Sequence, residues 1–238
     1  MKISAENKNF SELNEAIRNE KDIEIENCLG QRFLCAGMKN GNVTLKGIPG
    51  NALGAYLTGG EIKVFGNAQD AVGDTMNDGK IIIYGNVGDA VGYAMRGGEI
   101  FIKGNAGYRA GIHMKAYEEK QPVIMIGGKA GSFLGEYQAG GLIIVLGLTG
   151  GSTPTVGNFP CTGMHGGKMI IRGHIDNIEF PKQTTVTKAE KKDIDDILPV
   201  LERFCLIFGY DFEEVISENF YVITPDTKNP YKQLYVAN

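Results

Sequence analysis

Gly47, Gly66, Gly85 and Gly104 stand 19 residues apart, and Leu45, Val64, Ile83 and Ile102 keep the same step two positions earlier. The chain reads GEIKVFGNAQDAVGDTMNDG, then GKIIIYGNVGDAVGYAMRGG, then GEIFIKGNAGYRAGIHMK, so whole units are copied and not only a glycine pattern. A unit this short cannot enclose a core of its own and must stack on its neighbours. A fixed step with the same residue type returning to the same place argues against a sandwich of ordinary hairpins, the alternative for a strand-rich chain.

Within each unit the side chains alternate, and the aliphatic set keeps its parity: Val43/Leu45, Ile62/Val64, Ile81/Ile83, Ile100/Ile102, Ile124/Ile126, Ile143/Val145 and Met169/Ile171. One face of each strand is therefore apolar. Glycine closes the strand, followed by Asn67, Asn86 or Asn105, residue types that accept positive φ at a corner. Two further short segments follow, such as Ala71-Val72-Gly73 and Thr75-Met76, which predicts a triangular coil. Such a coil is too short for a propeller blade or a helical hairpin. The sequence thus predicts an all-β fold, a parallel β-helix with coils spaced by roughly 4.8 Å.

Residues 23–180 form this solenoid in the sequence reading, with a helical cap at 1–22 and helices with a tail at 181–238, all in one structural domain. Phe10, Leu13 and Ile17 recur at helical spacing behind Ser11 as a cap, a helix suited to cover an open solenoid end. Ile23 and Ile25 open the first coil. Extra residues fall at 115–121 and 149–162, where the 19-residue step lengthens to 24 and 26. Beyond Pro181, Thr187 with Glu190 reads as a capping box, Pro199 is expected to split or kink the helix that follows, and Gly209 to end it. Phe212, Val215 and Ile216 suggest a further short helix, residues 220–223 an extended segment, and KNPYKQLYVAN a tethered tail.

The outward centre of the strands reads Thr44, Lys63, Ile82, Phe101, Met125, Ile144, Ile170, polar at one end and apolar through five coils. Water covers such a stripe poorly. Either the carboxy-terminal helices pack on it or another chain docks there, so Ile82, Phe101, Met125 and Ile144 are partner-contact candidates. Tyr108, Arg109, His113 and Lys115, beside the first insertion, are the others.

Candidates for chemistry are few. With 42% hydrophobic residues, a net charge of −4 and no basic stripe, the composition disfavours a nucleic-acid partner. No stretch is long and apolar enough to span a membrane and no targeting pattern opens the chain, so a cytoplasmic location is the expectation. Cys28, Cys35, Cys161 and Cys205 form no CxxC pair and read as buried thiols, not as a metal or disulfide framework. His113, His165 and His174 lack a neighbouring nucleophile motif. Asp70 and Asp89 occupy equivalent coil positions and could share a cation, although corner aspartates more often bond backbone. GGKAG at 127–131 lacks the ending of a nucleotide loop. A stand-alone ligand-binding β-helix of the pectate lyase kind would need an acidic, basic and aromatic groove, whereas the outward columns turn apolar.

The runs GNAQDAVGDTM, GDAVGYAMRGGEIFIKGNAGYRAGIHMK, GGKAGSFLGEYQAGG and GMHGGKMIIRG, with the ending NPYKQLY, resemble the GXGXG domain of the glutamate synthase large subunit. A related domain forms one of the subunits of formylmethanofuran dehydrogenase. The resemblance implies a single-stranded right-handed parallel β-helix with 19-residue coils and short helical caps. It further implies a non-catalytic scaffold in the conversion of glutamine and 2-oxoglutarate to glutamate. A separately encoded glutaminase-type amidotransferase and an FMN-binding synthase would be the partners. On this reading FMN and the iron–sulfur cluster sit on the partner subunits, and this chain binds no cofactor or metal and supplies no catalytic residue. A formylmethanofuran dehydrogenase-like or other amidotransferase assembly is the alternative, and the sequence leaves homo-oligomers open.

Overall fold

The structure is a computed structural model describing residues 1–151 and 154–226. Its strands are β1 (Lys2–Ser4), β2 (Asp22–Leu29), β3 (Asn42–Ile48), β4 (Thr58–Phe65), β5 (Asp78–Ile83), β6 (Glu99–Ile102), β7 (Val123–Ile126), β8 (Ala139–Val145), β9 (Gly166–Arg172), β10 (Thr184–Lys188) and β11 (Phe220–Pro225). The helices are α1 (Phe10–Asn19), α2 (Lys191–Phe208) and α3 (Phe212–Ile216). Strands β1 to β9 pair in parallel in chain order, and β11 and then β10 add antiparallel at the far edge. This is the parallel β-helix, with the 19-residue step visible in the register: Val43 pairs with Ile62, Ile62 with Ile81, and Ile81 with Ile100. Among the described residues no helix is long and apolar enough to cross a membrane.

The aliphatic parity set faces the lumen, and every member from Ile62 to Ile171 is fully buried. Met76, Met95 and Met114 add a second inward column in successive coils. That column is interrupted by the buried Gln138, whose Nε2 donates to the carbonyls of Gly140 and Gly141 at 3.2 and 3.1 Å while its Oε1 finds no partner. At the corners the asparagines form a ladder: Asn67 Oδ1 accepts from the Asn86 N–H, Asn86 from Asn105, and Asn105 from Lys129, each at 2.8 Å. Asp70 and Asp89 do the same for the N–H groups of Asp89 and Tyr108, at 2.9 and 2.8 Å. Their repeat is therefore explained by backbone satisfaction, and among the described residues no group of three or more His, Cys, Asp or Glu side chains is placed to hold a metal.

The amino-terminal end is closed differently from the expectation. β1 precedes α1 and extends the sheet, and the cap of α1 is Asn9, not Ser11, because the Asn9 side chain reaches the N–H groups of Ser11 and Glu12 at 2.9 and 3.1 Å. Leu13 and Ile17 bury against the first coil. Between them Asn14 takes the place of a missing coil. In later coils the N–H of Gly54 or Gly73 donates to Leu34 or Leu53 of the coil before, whereas the N–H of Cys35 donates to Asn14 Oδ1 at 2.8 Å.

α2 lies on the apolar stripe. Its starting end sits over β9, where Lys168 pairs with Asp193 at 3.4 Å. Its middle places Phe204 edge-on to Phe101 at 5.7 Å, and its last residue Phe208 meets Tyr84 at 5.2 Å. The helix thus runs back along the solenoid axis. Ile197 to Phe208 rises about 17 Å, close to the roughly 19 Å across five strands, which is why the stripe is apolar from Ile82 to Ile170 and polar at Lys63 and Thr44. Gly209 ends the helix with φ 72°, as the sequence suggests. Two details differ. The cap is Glu190, with the Asp193 carboxylate accepting from its N–H at 3.1 Å, because Thr187 is taken up by β10. Pro199 lies inside one uninterrupted helix, since Ile197, Val200 and Leu201 on either side of it are all buried against the solenoid. The tail from residue 227 and residues 152–153 of the second insertion lie outside the described residues.

The first insertion folds back over the solenoid, and Lys120 Nζ meets Asp78 Oδ2 at 2.6 Å. Hydrogen bonding from Lys120, and then from the Gly79 N–H, holds the Asp78 carboxyl below its ordinary value of 3.8. A depressed carboxyl pKa contributes stability above the unfolded value, and that contribution is lost as pH falls through the folded one. Amide exchange across residues 115–121, corrected for intrinsic rates, is expected to accelerate in the native protein only below about pH 4. In Lys120→Ala it should be fast already at pH 6. Equal protection in both proteins at pH 6 would show that the pair does not hold the insertion.

Candidate interaction surface

Opposite the glycine that closes each strand, every coil makes a second corner in which three alternate residues take positive φ. The sets are Phe33/Cys35/Gly37, Ala52/Gly54/Tyr56, Ala71/Gly73/Thr75, Ala90/Gly92/Ala94, Arg109/Gly111/His113, Phe133/Gly135/Tyr137 and Phe159/Cys161/Gly163. The middle residue faces the lumen: a Cβ on Gly54 would sit 2.7 Å from Ile81 Cδ1, and one on Gly111 2.5 Å from Ile143 Cδ1. Cysteine replaces glycine only in the two end sets. In the second of these sets the Met169 sulfur lies 3.5 Å from Cys161 Sγ. These cysteines are core-filling. Burial pushes the thiol of Cys28 up to about 11 and that of Cys161 up to about 12, and raises those of Cys35 and Cys205. Thiols so reluctant to ionise, with no group of three or more His, Cys, Asp or Glu side chains brought together among the described residues, do not fit a cluster.

The outer members of these sets and their neighbours carry side chains to the surface, where several stack along the axis. Tyr93 meets His113 edge-on at 6.0 Å, and His113 lies nearly parallel to Tyr137, 9° apart at 5.1 Å. Beside them the Arg109 guanidinium covers the Phe133 ring at 4.8 Å and bonds Glu136 at 3.1 Å, while Phe133 contacts Phe159 at 5.4 Å. Tyr108 and Phe159 remain 53% and 56% exposed. The coil spacing places these contacts in one run along the axis.

The structure divides the sequence candidates into two groups. Ile82, Phe101, Met125 and Ile144 are covered by α2 and join Ile197, Leu201 and Phe204 in one cluster, so docking of a partner on them is corrected to packing of the chain's own helix. Tyr108, Arg109, His113 and Lys115 are exposed together on the aromatic corner. Phe133, Tyr137 and Phe159 belong with them but lie across the insertion in sequence, and Tyr93 is a coil earlier. Equal spacing from the strand positions was the signal that could have joined them. His165 stands apart, 3.0 Å from the Gly163 carbonyl, and His174 is exposed, 3.9 Å from Asp176. His174 borders a cleft of about 360 Å³ with Pro154, Thr155 and Arg172, but the Arg172 guanidinium is spent on the carbonyls of Val215, Glu214 and Leu146.

Comparison with known proteins places this geometry in a family. The chain is 42% identical to the uncharacterized protein MJ1350 of Methanocaldococcus jannaschii, over 99% of this chain and 96% of that one. It shares its fold with a chain of the formyltransferase/hydrolase complex from Methylorubrum extorquens, solved with methylofuran. That match has a TM-score of 0.64 at 21% identity and covers 87% of this chain and 74% of the other. The model of the GXGXG motif family matches residues 4–228. The match across nearly the whole chain leads to one assignment: this protein belongs to the GXGXG motif family.

Proposed function

We propose that the chain is a structural subunit of a multi-subunit enzyme of the glutamate synthase type, holding a glutaminase-type amidotransferase and an FMN-binding, iron–sulfur synthase as separate chains. The observation that carries this is the exposed aromatic run on a solenoid whose lumen is filled and whose strand face is already covered by α2. Apolar surface of this kind is where chains meet. Flavin and cluster are assigned to the partners in this proposal; all four thiols of this chain are buried. The glutamate synthase type rests on the sequence resemblance.

A second reading, a subunit of a formyltransferase/hydrolase or formylmethanofuran dehydrogenase-like assembly, is favoured by the fold of the Methylorubrum chain. Partner identity separates the two. Native purification of the tagged chain from its own cells, with mass spectrometry and a flavin absorbance scan, is expected to recover a glutaminase-like chain and a yellow flavoprotein. Recovery with formyl-transferring chains would replace the first reading by the second. A colourless single chain of one native mass would overturn both.

A further inference from the structure

We propose that the ledge formed by Tyr93, Arg96, His113, Lys115 and Tyr137 is the docking surface for an acidic segment of a partner subunit. The inference rests on the subunit reading and adds the chemistry of the contact. In its coil His113 has positive φ, Met114 turns into the lumen and Lys115 returns to the surface; Ala94, Met95 and Arg96 repeat this one coil earlier. The N–H of Lys115 donates to the Met95 carbonyl at 3.0 Å and that of Arg96 to Met76 at 2.8 Å, so the two residues occupy one column. Their charged side chains leave backbone sites about 4.8 Å apart.

Elsewhere the solenoid neutralises stacked charge. Lys2 and Lys46 flank Glu24 and Glu26, Lys80 pairs with Glu99, and Lys168 with Asp193 and Asp196. Arg96 and Lys115 have no carboxylate partner among the described residues, although the whole chain carries a net charge of −4. Of the nearby carboxylates, Glu136 pairs with Arg109, Asp78 pairs with Lys120, and Asp74 Oδ1 accepts from the Thr75 hydroxyl at 2.8 Å, while the exposed Glu118 and Glu119 of the first insertion pair with neither cation. Two like charges stacked on adjacent coils repel, and an incoming carboxylate removes that repulsion.

Beside the cations, the Tyr93, His113 and Tyr137 rings form an aromatic shelf. The complementary occupant carries carboxylates next to an apolar or aromatic side chain, and electrostatic complementarity sets its register. A nucleic acid would call for a longer basic track along the backbone.

Carbodiimide treatment of the natively purified complex tests this, since the reagent joins an amine directly to a carboxylate with no spacer. Mass spectrometry is expected to find Lys115 linked to an Asp or Glu in an acidic stretch of a partner subunit. The link should vanish in Lys115→Arg, which keeps the charge and the partner. Arg96→Glu/Lys115→Glu, with an unchanged circular dichroism melt, should lose at least tenfold of the bound partner. A complex that shows no link at Lys115 and tolerates the double reversal overturns the proposal. So does a link to a second copy of this chain, or bound material released by nuclease. If the wild type brings down no partner, the subunit reading has failed by itself. The ledge is then titrated with a decaglutamate peptide, and amide shifts confined to Arg96, His113 and Lys115 would sustain it while their absence would overturn it.

Discussion

Phe101→Glu is expected to unfold the carboxy-terminal half of the solenoid. Phe101 is fully buried between its neighbours Ile82 and Met125 on the stripe, under Phe204, which also contacts Phe208 at 4.7 Å. A carboxylate there loses the packing of a large aromatic, about 3–5 kcal/mol for truncation alone, and must also be desolvated or protonated. Together these approach the whole stability of an ordinary domain. The Lys80 ammonium, 5.8 Å from the Phe101 ring centroid, already pairs with Glu99 and gives limited relief. Phe101→Leu is the companion variant, expected to cost less and to keep α2 in place. Thermal melts with limited proteolysis of α2 read both. A Phe101→Glu protein that melts like the wild type, with α2 protected, would mean that the helix does not hold these coils.

The second large effect is expected inside one coil. Ala52 and Gly54 both have positive φ, at 61° and 65°, yet opposite substitutions there should differ sharply. Gly54→Ala places a methyl 2.7 Å from Ile81 Cδ1 and 3.1 Å from Ile62 Cδ1, both isoleucines being fully buried. Overpacking of about 1–3 kcal/mol adds to a left-handed backbone cost of about 1–2 kcal/mol. Ala52→Gly relieves that backbone cost but enlarges the unfolded ensemble, so it should be close to neutral. Chemical denaturation of the two variants measures the contrast. A neutral Gly54→Ala would show that the isoleucine column yields, and that the central glycine answers to the backbone alone.

This contrast also marks where sequence and structure part. The 19-residue step and the alternating aliphatics are readable because parallel stacking forces equivalent residues into columns, and the length of the apolar stripe anticipated the reach of α2. Positive φ at Ala52, Ala71 and His113 was not readable, because sequence signals for such corners are glycine and asparagine. Here the interlocking of adjacent coils imposes the conformation on other residues. Cys35 and Cys161 could have been placed from their columns, but a count of thiols hides their equivalence to Gly54 and Gly135. At the ends, β1, Asn14 and the antiparallel β10 and β11 have no periodic counterpart. On the exposed aromatic corner, Tyr108, Arg109, His113 and Lys115 could be grouped from the sequence because they flank an insertion. Tyr93, Arg96 and Tyr137 required the stacking to be known.

The return of α2 along the axis has a consequence for synthesis. Solenoid coils can assemble one after another as they leave the ribosome, but the residues that shield Ile82 and Phe101 are encoded after the last coil. Translation must cover the 126 residues from Ile82 to Phe208 (208 − 82) before the shield is complete, about 6–25 s at ordinary elongation rates. For that interval the nascent protein displays a sticky row of strands to every chaperone and every neighbouring chain.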